Sequence, residues 1–465
     1  MLIKPFWFLG VEVGVQNRVG EMAYGGYFSL FNLAFILNIL LDLGLNNYNN
    51  REIARYPELI RERISAIVPL KFALALVYAI VVLLVGKTLG YTPAEFQMLW
   101  LLALNQFLLA FILYFRSNIS GLQYFRTDSL LSVMDRSLMI IFTGLLLWGE
   151  LVEGPFRIRW FVYAQTLSYS LTLLTAAIIV FYRAGRPLPR PGFRQSMLAL
   201  KSSYPFAMLI LLMAFFNRAD SVMLERMLVD GKEQAGIYAQ SFRIYDAASQ
   251  FPLLFAGLLL PMFSRMLRLN QEVNSLIRLA LAPLLVVAIS VALVANFYNS
   301  EIIGLLYTSV SANSIQIFGL LMIGFVFVST SYIYGTLLTA NNNLKQLNIL
   351  ASLTVLLNLL LNLILIPRHQ ALGAAVASLS AQAFYALAQV IIATRLLGLG
   401  SNLDLFAKLA LFLLINTAVA FSLRYFLDHS ISGLISLTAS CAVSAFLTRL
   451  IRPKELLHIL RSKES

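Results

Sequence analysis

Fourteen apolar runs, most of about 20 residues, fill this chain and are joined by short polar links. An α-helix rising about 1.5 Å per residue needs such a length to cross some 30 Å of hydrocarbon. Inside a bilayer no water satisfies the backbone, so each run has to close its own hydrogen bonds as a helix. The chain is therefore expected to be an all-α polytopic membrane protein with about 14 transmembrane helices. The runs fall at 1–16, 24–45, 64–86, 96–115, 129–149, 160–182, 203–224, 235–263, 279–297, 315–340, 347–366, 371–394, 405–423 and 431–448. Trp100, Trp148, Trp160, Tyr182, Tyr298 and Tyr425 stand near run ends, as interfacial aromatics do.

Charge orients the runs. Of 35 Lys and Arg, 30 lie in the links, and alternate links differ: those facing one side carry 22, those facing the other carry 8. The rich links include Arg51, Arg55, Arg61 and Arg63, then Arg183, Arg186, Arg190, Arg194 and Lys201, and finally Arg449, Arg452, Lys454, Arg461 and Lys463. The poor links include Arg18, Lys87, Arg226, Lys232 and Arg424. This positive-inside bias places the rich links and both termini in the cytoplasm. The net charge of +13 then meets anionic phospholipids of the inner leaflet rather than nucleic acid.

Other function classes are excluded by what the links lack room for. No link exceeds about twenty residues, so a soluble catalytic domain does not fit, and the chain is expected not to be an enzyme. The single cysteine, Cys441, cannot form an intrachain disulfide, and His369, His429 and His458 make no cluster with metal-ligand spacing. No metal and no cofactor is expected.

A weak internal repeat organises the runs. Tyr24-Gly25-Gly26-Tyr27 in the second run corresponds to Ala235-Gly236-Ile237-Tyr238 in the eighth, 211 residues on. Ala164-Gln165 in the sixth corresponds to Ala381-Gln382 in the twelfth. Six crossings separate each pair, so the repeats share an orientation. This predicts a six-helix lobe at 1–182, a basic cytoplasmic linker at 183–202, a second six-helix lobe at 203–394, and two further helices with a basic tail at 395–465.

The opening IKPFWFLGVEVGVQNRVGEMAYGGYFSLFN, the LLDLGLNN after it and the later AGIYAQSFRIYDA resemble the polysaccharide-export branch of the multidrug/oligosaccharidyl-lipid/polysaccharide flippase superfamily. The nearest members are O-antigen and capsule-repeat flippases, and the likeness covers nearly the whole chain. It implies two six-helix bundles around a central cavity lined by the first, second, seventh and eighth helices. The implied cargo is an undecaprenyl-pyrophosphate-linked oligosaccharide, moved from the cytoplasmic to the periplasmic leaflet of a bacterial inner membrane by alternating access. Polysaccharide polymerase and chain-length machinery are the implied protein partners. Members have a longer first helix before the Lys-Pro pair, and a sixteen-residue first run broken by Lys4 is short for a crossing. The native protein is thus expected to carry about ten to fifteen more residues at its start.

Five basic residues lie inside runs: Lys4, Lys71, Arg136, Arg218 and Arg243. A charge at the helix centre costs roughly 2.5–3.5 kcal/mol, so function is sought there first. Lys4, Arg218 and Arg243 come from helices that the resemblance assigns to the cavity, where they would hold a pyrophosphate. The alternative is a structural ion pair, with Asp220 or Asp246 as counter-ion. Arg218 and Asp220 are two apart and must look to different helices, whereas Arg243 and Asp246 share a face. Asp246 also offers a carboxylate for H+ or Na+ coupling, with the membrane potential as another driving force. Lys71 and Arg136, near cytoplasmic ends, are expected to snorkel to the headgroups, Arg136 with an option on a phosphate. Asp42 beside Gly44 is expected to be structural.

Two other functions remain in view. A cation-coupled multidrug exporter would take cationic cargo, which such a cavity repels, and a peptidoglycan-precursor flippase would take the same pyrophosphate. A membrane glycosyltransferase or polymerase would need a large external loop or an acidic metal site.

Overall fold

The computed structural model describes residues 6–149, 154–184, 193–400, 402–427 and 431–451. Among them the fold is helical throughout, with no strand. A π-helical stretch, Trp7–Glu12, leads into α1 (Val13–Leu37). There follow α2 (Leu45–Arg55), α3 (Ile60–Thr88), α4 (Pro93–Gly121), α5 (Phe125–Trp148), α6 (Ile158–Ala184), α7 (Phe193–Met227) and α8 (Gly231–Arg268). Then come α9 (Asn274–Phe297), α10 (Asn299–Leu306), α11 (Ala312–Ala340), α12 (Leu344–Leu397), α13 (Leu403–Leu427) and α14 (Ile431–Leu447).

Among the described residues, eleven helical segments are long and apolar enough to cross a membrane, and the backbone of two of them turns part-way. In the segment Gly10–Leu41 the backbone turns at Gly20, whose φ of 79° and ψ of 170° suit a residue without a Cβ. Trp7 stacks on Phe161 and Tyr27, on the other side of the turn, meets the same ring edge-on, which a straight helix could not allow. In α12 the turn is at Gln370 (φ 51°), three residues after Pro367, and Gly373 packs against the backbone of Leu365. Cutting α12 at its turn leaves two arms each long enough to cross, the arm before Gly20 is shorter than a crossing, and the 17-residue α14 is a shorter apolar helix. Among the described residues, each of the fourteen expected runs is helical over most of its length, the first from Phe6 onward. The helices continue through Pro205, Pro252 and Pro261.

Contacts divide the chain into two compact units, Met1–Ala239 and Gln240–Ser465. The division falls inside α8, so α7 and the first turns of α8 pack with the N-terminal helices, α7 lying along α1. In the first unit a core of Ile53, Ile64, Phe111, Tyr114, Phe115, Leu131 and Val180 joins α2 to α6. The short helix α2, counted above only as a polar link, lies against α4, where buried Asn49 donates to Ser117 Oγ at 2.9 Å. In the second unit α11 packs along α12 and α9, while α13 and α14 pair with each other and dock on α9. Buried Asn416 ties that last pair together by donating to Ser444 Oγ at 2.7 Å.

Candidate functional site

Residues spaced by three along α1 and α7 create a polar seam in the first unit. Ser29 Oγ donates to the Ser221 carbonyl at 2.8 Å, and Asn32 Nδ2 donates to Ser221 Oγ at 2.8 Å. The other end of the Asn32 amide accepts from Arg218 Nη1 at 3.1 Å, which fixes the amide's orientation. The guanidinium also lies 4.2 Å from the centroid of the Phe35 ring, within cation–π range. Arg218 is half-buried, so an α1-facing cation sits in the middle of the seam. Asp220, two residues on, is fully buried and points elsewhere: it accepts the Tyr238 hydroxyl of α8 at 3.0 Å.

In the second unit, α8 carries buried Arg243 and half-buried Asp246 one turn apart. Around them α8 is tied to the start of α11. Ser241 Oγ donates to the Ser314 carbonyl at 3.1 Å, and the Tyr307 hydroxyl donates to the Gln240 carbonyl at 3.1 Å. Lys4 lies outside the described residues.

The remaining intramembrane charges are answered locally. Lys71 does not snorkel: it is fully buried and donates to Asp42 Oδ1 at 3.0 Å and to the Leu41 carbonyl at 3.1 Å. The helix face it occupies turns inward, a fact that distance from a helix end does not carry. Asp42 also accepts from the Asn46 backbone at 3.2 Å, fixing the left-handed turn at Leu43 and Gly44 that starts α2. Arg136 sits 5.5 Å over the Trp7 ring, with Asp135 at 3.9 Å, Tyr169 as a hydrogen-bond partner and buried Glu12 among the nearby charges. Two carboxylates therefore face this arginine inside its own unit.

A cluster at the less basic end was not singled out from sequence. The Thr92-Pro93-Ala94-Glu95 capping box starts α4, with the Glu95 carboxylate taking the Thr92 backbone N–H at 2.7 Å. That carboxylate also meets Lys232 at 2.6 Å and Arg226 at 3.5 Å. Arg226 further pairs with Glu225 at 2.8 Å, donates to the Leu89 carbonyl at 3.2 Å and stacks 4.0 Å from the Tyr91 ring centroid. The Tyr91 hydroxyl donates to Glu225 at 3.2 Å, and burial beside this carboxylate pushes the phenol well above its ordinary range. The capping box was legible, but its carboxylate's partners on α7 and α8 were visible only as loop charges.

The sequence profile of the family described as "Polysaccharide biosynthesis protein" matches residues 9–267, more than half of the chain. The chain belongs to that family. It is a polytopic helical membrane protein, and the solved structures it resembles in fold are transporters. A lipid II flippase MurJ in an inward closed conformation superimposes with a TM-score of 0.73 at 14% identity, covering 98% of this chain and 99% of that one. An inward-facing multidrug resistance MATE family transporter gives 0.64 at 14% identity, with coverages of 84% and 94%. A superfamily transporter from Pyrococcus furiosus, described by the reverse polarity of its binding pocket, gives 0.58 at 15% identity, with 86% and 93%. At these identities the likeness is one of fold. No curated protein matches by sequence.

Proposed function

We propose that this member of the polysaccharide biosynthesis family flips a lipid-pyrophosphate-linked oligosaccharide, with undecaprenyl as the lipid. The carrying observation is the sign of the charge inside the spans: Arg218 in the first unit and Arg243 in the second, each a guanidinium suited to bidentate contact with phosphate oxygens. A transporter of cationic drugs gains nothing from two such groups, whereas a pyrophosphate supplies counter-charge during each passage. Lys4 would add a third cation, and Asp246 and Asp220 are the carboxylates available for H+ or Na+ coupling. The sugars travel in water while the lipid tail stays in the bilayer. In this reading the protein lies in the bacterial inner membrane with both termini cytoplasmic, beside polymerase and chain-length machinery.

A peptidoglycan-precursor flippase is the second reading. It is favoured by the extent of the MurJ likeness, which spans 98% of the chain where the MATE likeness stops at 84%. The difference is about the size of the segment after Thr394, which holds α13 and α14.

Arg243→Ala should abolish surface glycan export while the protein's membrane abundance stays near normal. Arg243→Lys should restore export only in part, keeping charge but losing the fork. Normal export by Arg243→Ala would sink the headgroup role. Loss of the protein from the membrane would favour the structural ion pair. Complementation of a MurJ-depleted strain by the wild-type chain would instead favour the peptidoglycan precursor.

A further inference from the structure

At the basic end of the first unit, α3, α4, α5 and α6 leave a partly open pocket between them. Its walls are apolar, with Ile60 from α3, Ile119 from α4 and Ile179 from α6. Its polar groups come from Tyr124, Thr127 and Arg183. Ile60 and Ile119 also belong to the unit's buried core, so this wall is part of the packed fold.

Arg183, in the last turn of α6, is exposed and lies 4.9 Å from the centroid of the Tyr124 ring. A cation over a ring keeps its full charge and its N–H donors, so Tyr124 steadies the guanidinium without neutralising it. Asp128, one residue from Thr127, is already held by Arg116 at 2.7 Å. Glu62 stands two residues from Ile60, and so on another face of α3. Arg126, exposed and next to Thr127 in the chain, adds a second positive charge at this corner.

The exposed residues of α6 show which surface the pocket opens on. Leu167, Leu171, Leu174, Ile178 and Tyr182 recur every three or four residues and are 36% to 84% exposed. On a membrane helix such a stripe faces lipid. Ile179 and Arg183 each follow a stripe residue by one, so the pocket opens at the edge of the stripe. By the charge bias of the links this end is expected in the inner leaflet, where anionic phospholipids concentrate.

We propose that this pocket binds an anionic phospholipid of the bilayer, its phosphate on Arg183 and Thr127 and its acyl chains along the exposed stripe of α6. Basic pockets between membrane helices at the cytoplasmic side hold such headgroups. The occupant is a resident lipid and not the cargo. The pocket is built from α3 to α6, whereas the seam that holds Arg218 lies between α1 and α7. The site is therefore independent of what the protein moves.

Purified full chain is offered equal amounts of phosphatidylglycerol and phosphatidylethanolamine, and the retained lipid is read by native mass spectrometry. The wild type should favour phosphatidylglycerol, and Arg183→Ala should cut that preference about fivefold, the effect of one arginine near an anionic lipid. Arg183→Lys should keep most of it, since an ammonium also binds phosphate. Thr127→Trp fills the pocket, leaves the charges in place and should cut the preference as well. Each variant is first shown to melt like the wild type in detergent alone, with Thr127→Phe in place of Thr127→Trp if the larger ring does not. Arg395→Ala removes an exposed arginine from the last turn of α12 and should change nothing. An equal loss in Arg395→Ala would mean attraction by diffuse charge and overturn the site. No preference in the wild type, or an unchanged one in Arg183→Ala or the pocket-filling variant, would do the same. Inorganic phosphate and undecaprenyl pyrophosphate should both fail to displace the bound phosphatidylglycerol. Displacement by the first would make the pocket a plain anion site, and displacement by the second a cargo site; either overturns the proposal. The flippase reading is judged separately, at Arg243, and stands or falls without this result.

Discussion

Two of the ionic clusters in the first unit are built in opposite ways. At the basic end Lys71 and Asp42 form one pair in which the ammonium is fully buried, 5.4 Å over the Tyr114 ring, with a backbone carbonyl as second acceptor. At the other end five groups share contacts of mixed burial: Lys232 and Arg226 are partly exposed around Glu95, while Glu225 and Tyr91 are buried. Removing one partner of a buried pair strands a charge and costs about 3–5 kcal/mol, whereas a half-exposed pair contributes about 0–1 kcal/mol. The first is a rivet for the turn that starts α2; in the second only the Lys232–Glu95 side is well exposed. Burial, more than the number of charges, decides how much each pair contributes to stability.

The comparison breaks first at its strong end. Lys71→Ala should lower stability by about 3–5 kcal/mol, seen as loss of membrane abundance and a lower melting temperature in detergent. Lys71→Met together with Asp42→Asn should recover much of the loss, because no charge is then stranded. If Lys71→Ala melts like the wild type, the rivet reading fails.

An intermediate case is Arg424, which meets Glu301 through two nitrogens at 2.7 and 3.3 Å and covers the Tyr298 ring at 4.6 Å. Its side chain is 20% exposed, between the two extremes. Arg424→Ala should cost about 1–2 kcal/mol, and protease susceptibility of α13 and α14 should rise before the rest of the chain yields.

Glu95→Gln should change the melting temperature least among the charge variants, by the equivalent of about 1 kcal/mol or less. A large stability loss there would make it a second rivet. The smallest effect belongs to Tyr91→Phe. A phenol whose pKa is raised on folding contributes stability that is fully present below its unfolded pKa of about 10. The difference between Tyr91→Phe and wild type should therefore stay constant from pH 6 to 9, and a pH-dependent difference in that window would contradict the buried, donating phenol.

Much of the fold could be read along the chain. Each run long enough to cross hydrocarbon became a helix, and the Pro367-Arg368-His369-Gln370 link between the eleventh and twelfth runs became the α12 turn. Less of the site was legible. Asn47 to Arg51 read as a polar link because its sequence has no apolar length, yet Asn49 and Ile53 of α2 are buried against α4. Lys71 was placed by its distance from a helix end, which says how deep a group lies but not which way it faces. The separate partners of Arg218 and Asp220 did follow from sequence, since residues two apart stand about 200° round a helix.

The sequence by itself determined which segments cross the membrane, and its charge bias gives their expected orientation, because transfer into lipid is close to a sum over residues along each run. Only the tertiary structure decided which charges meet. Arg226 reaches Glu95 across 131 residues, and Gln16 reaches Gly236 across 220. A repeat motif seen twice in the sequence carries no sign that Gly25 of one copy and Gly236 of the other touch. That contact exists because two helices without side chains at one point can bring their backbones together, and only the packed fold says where that point is.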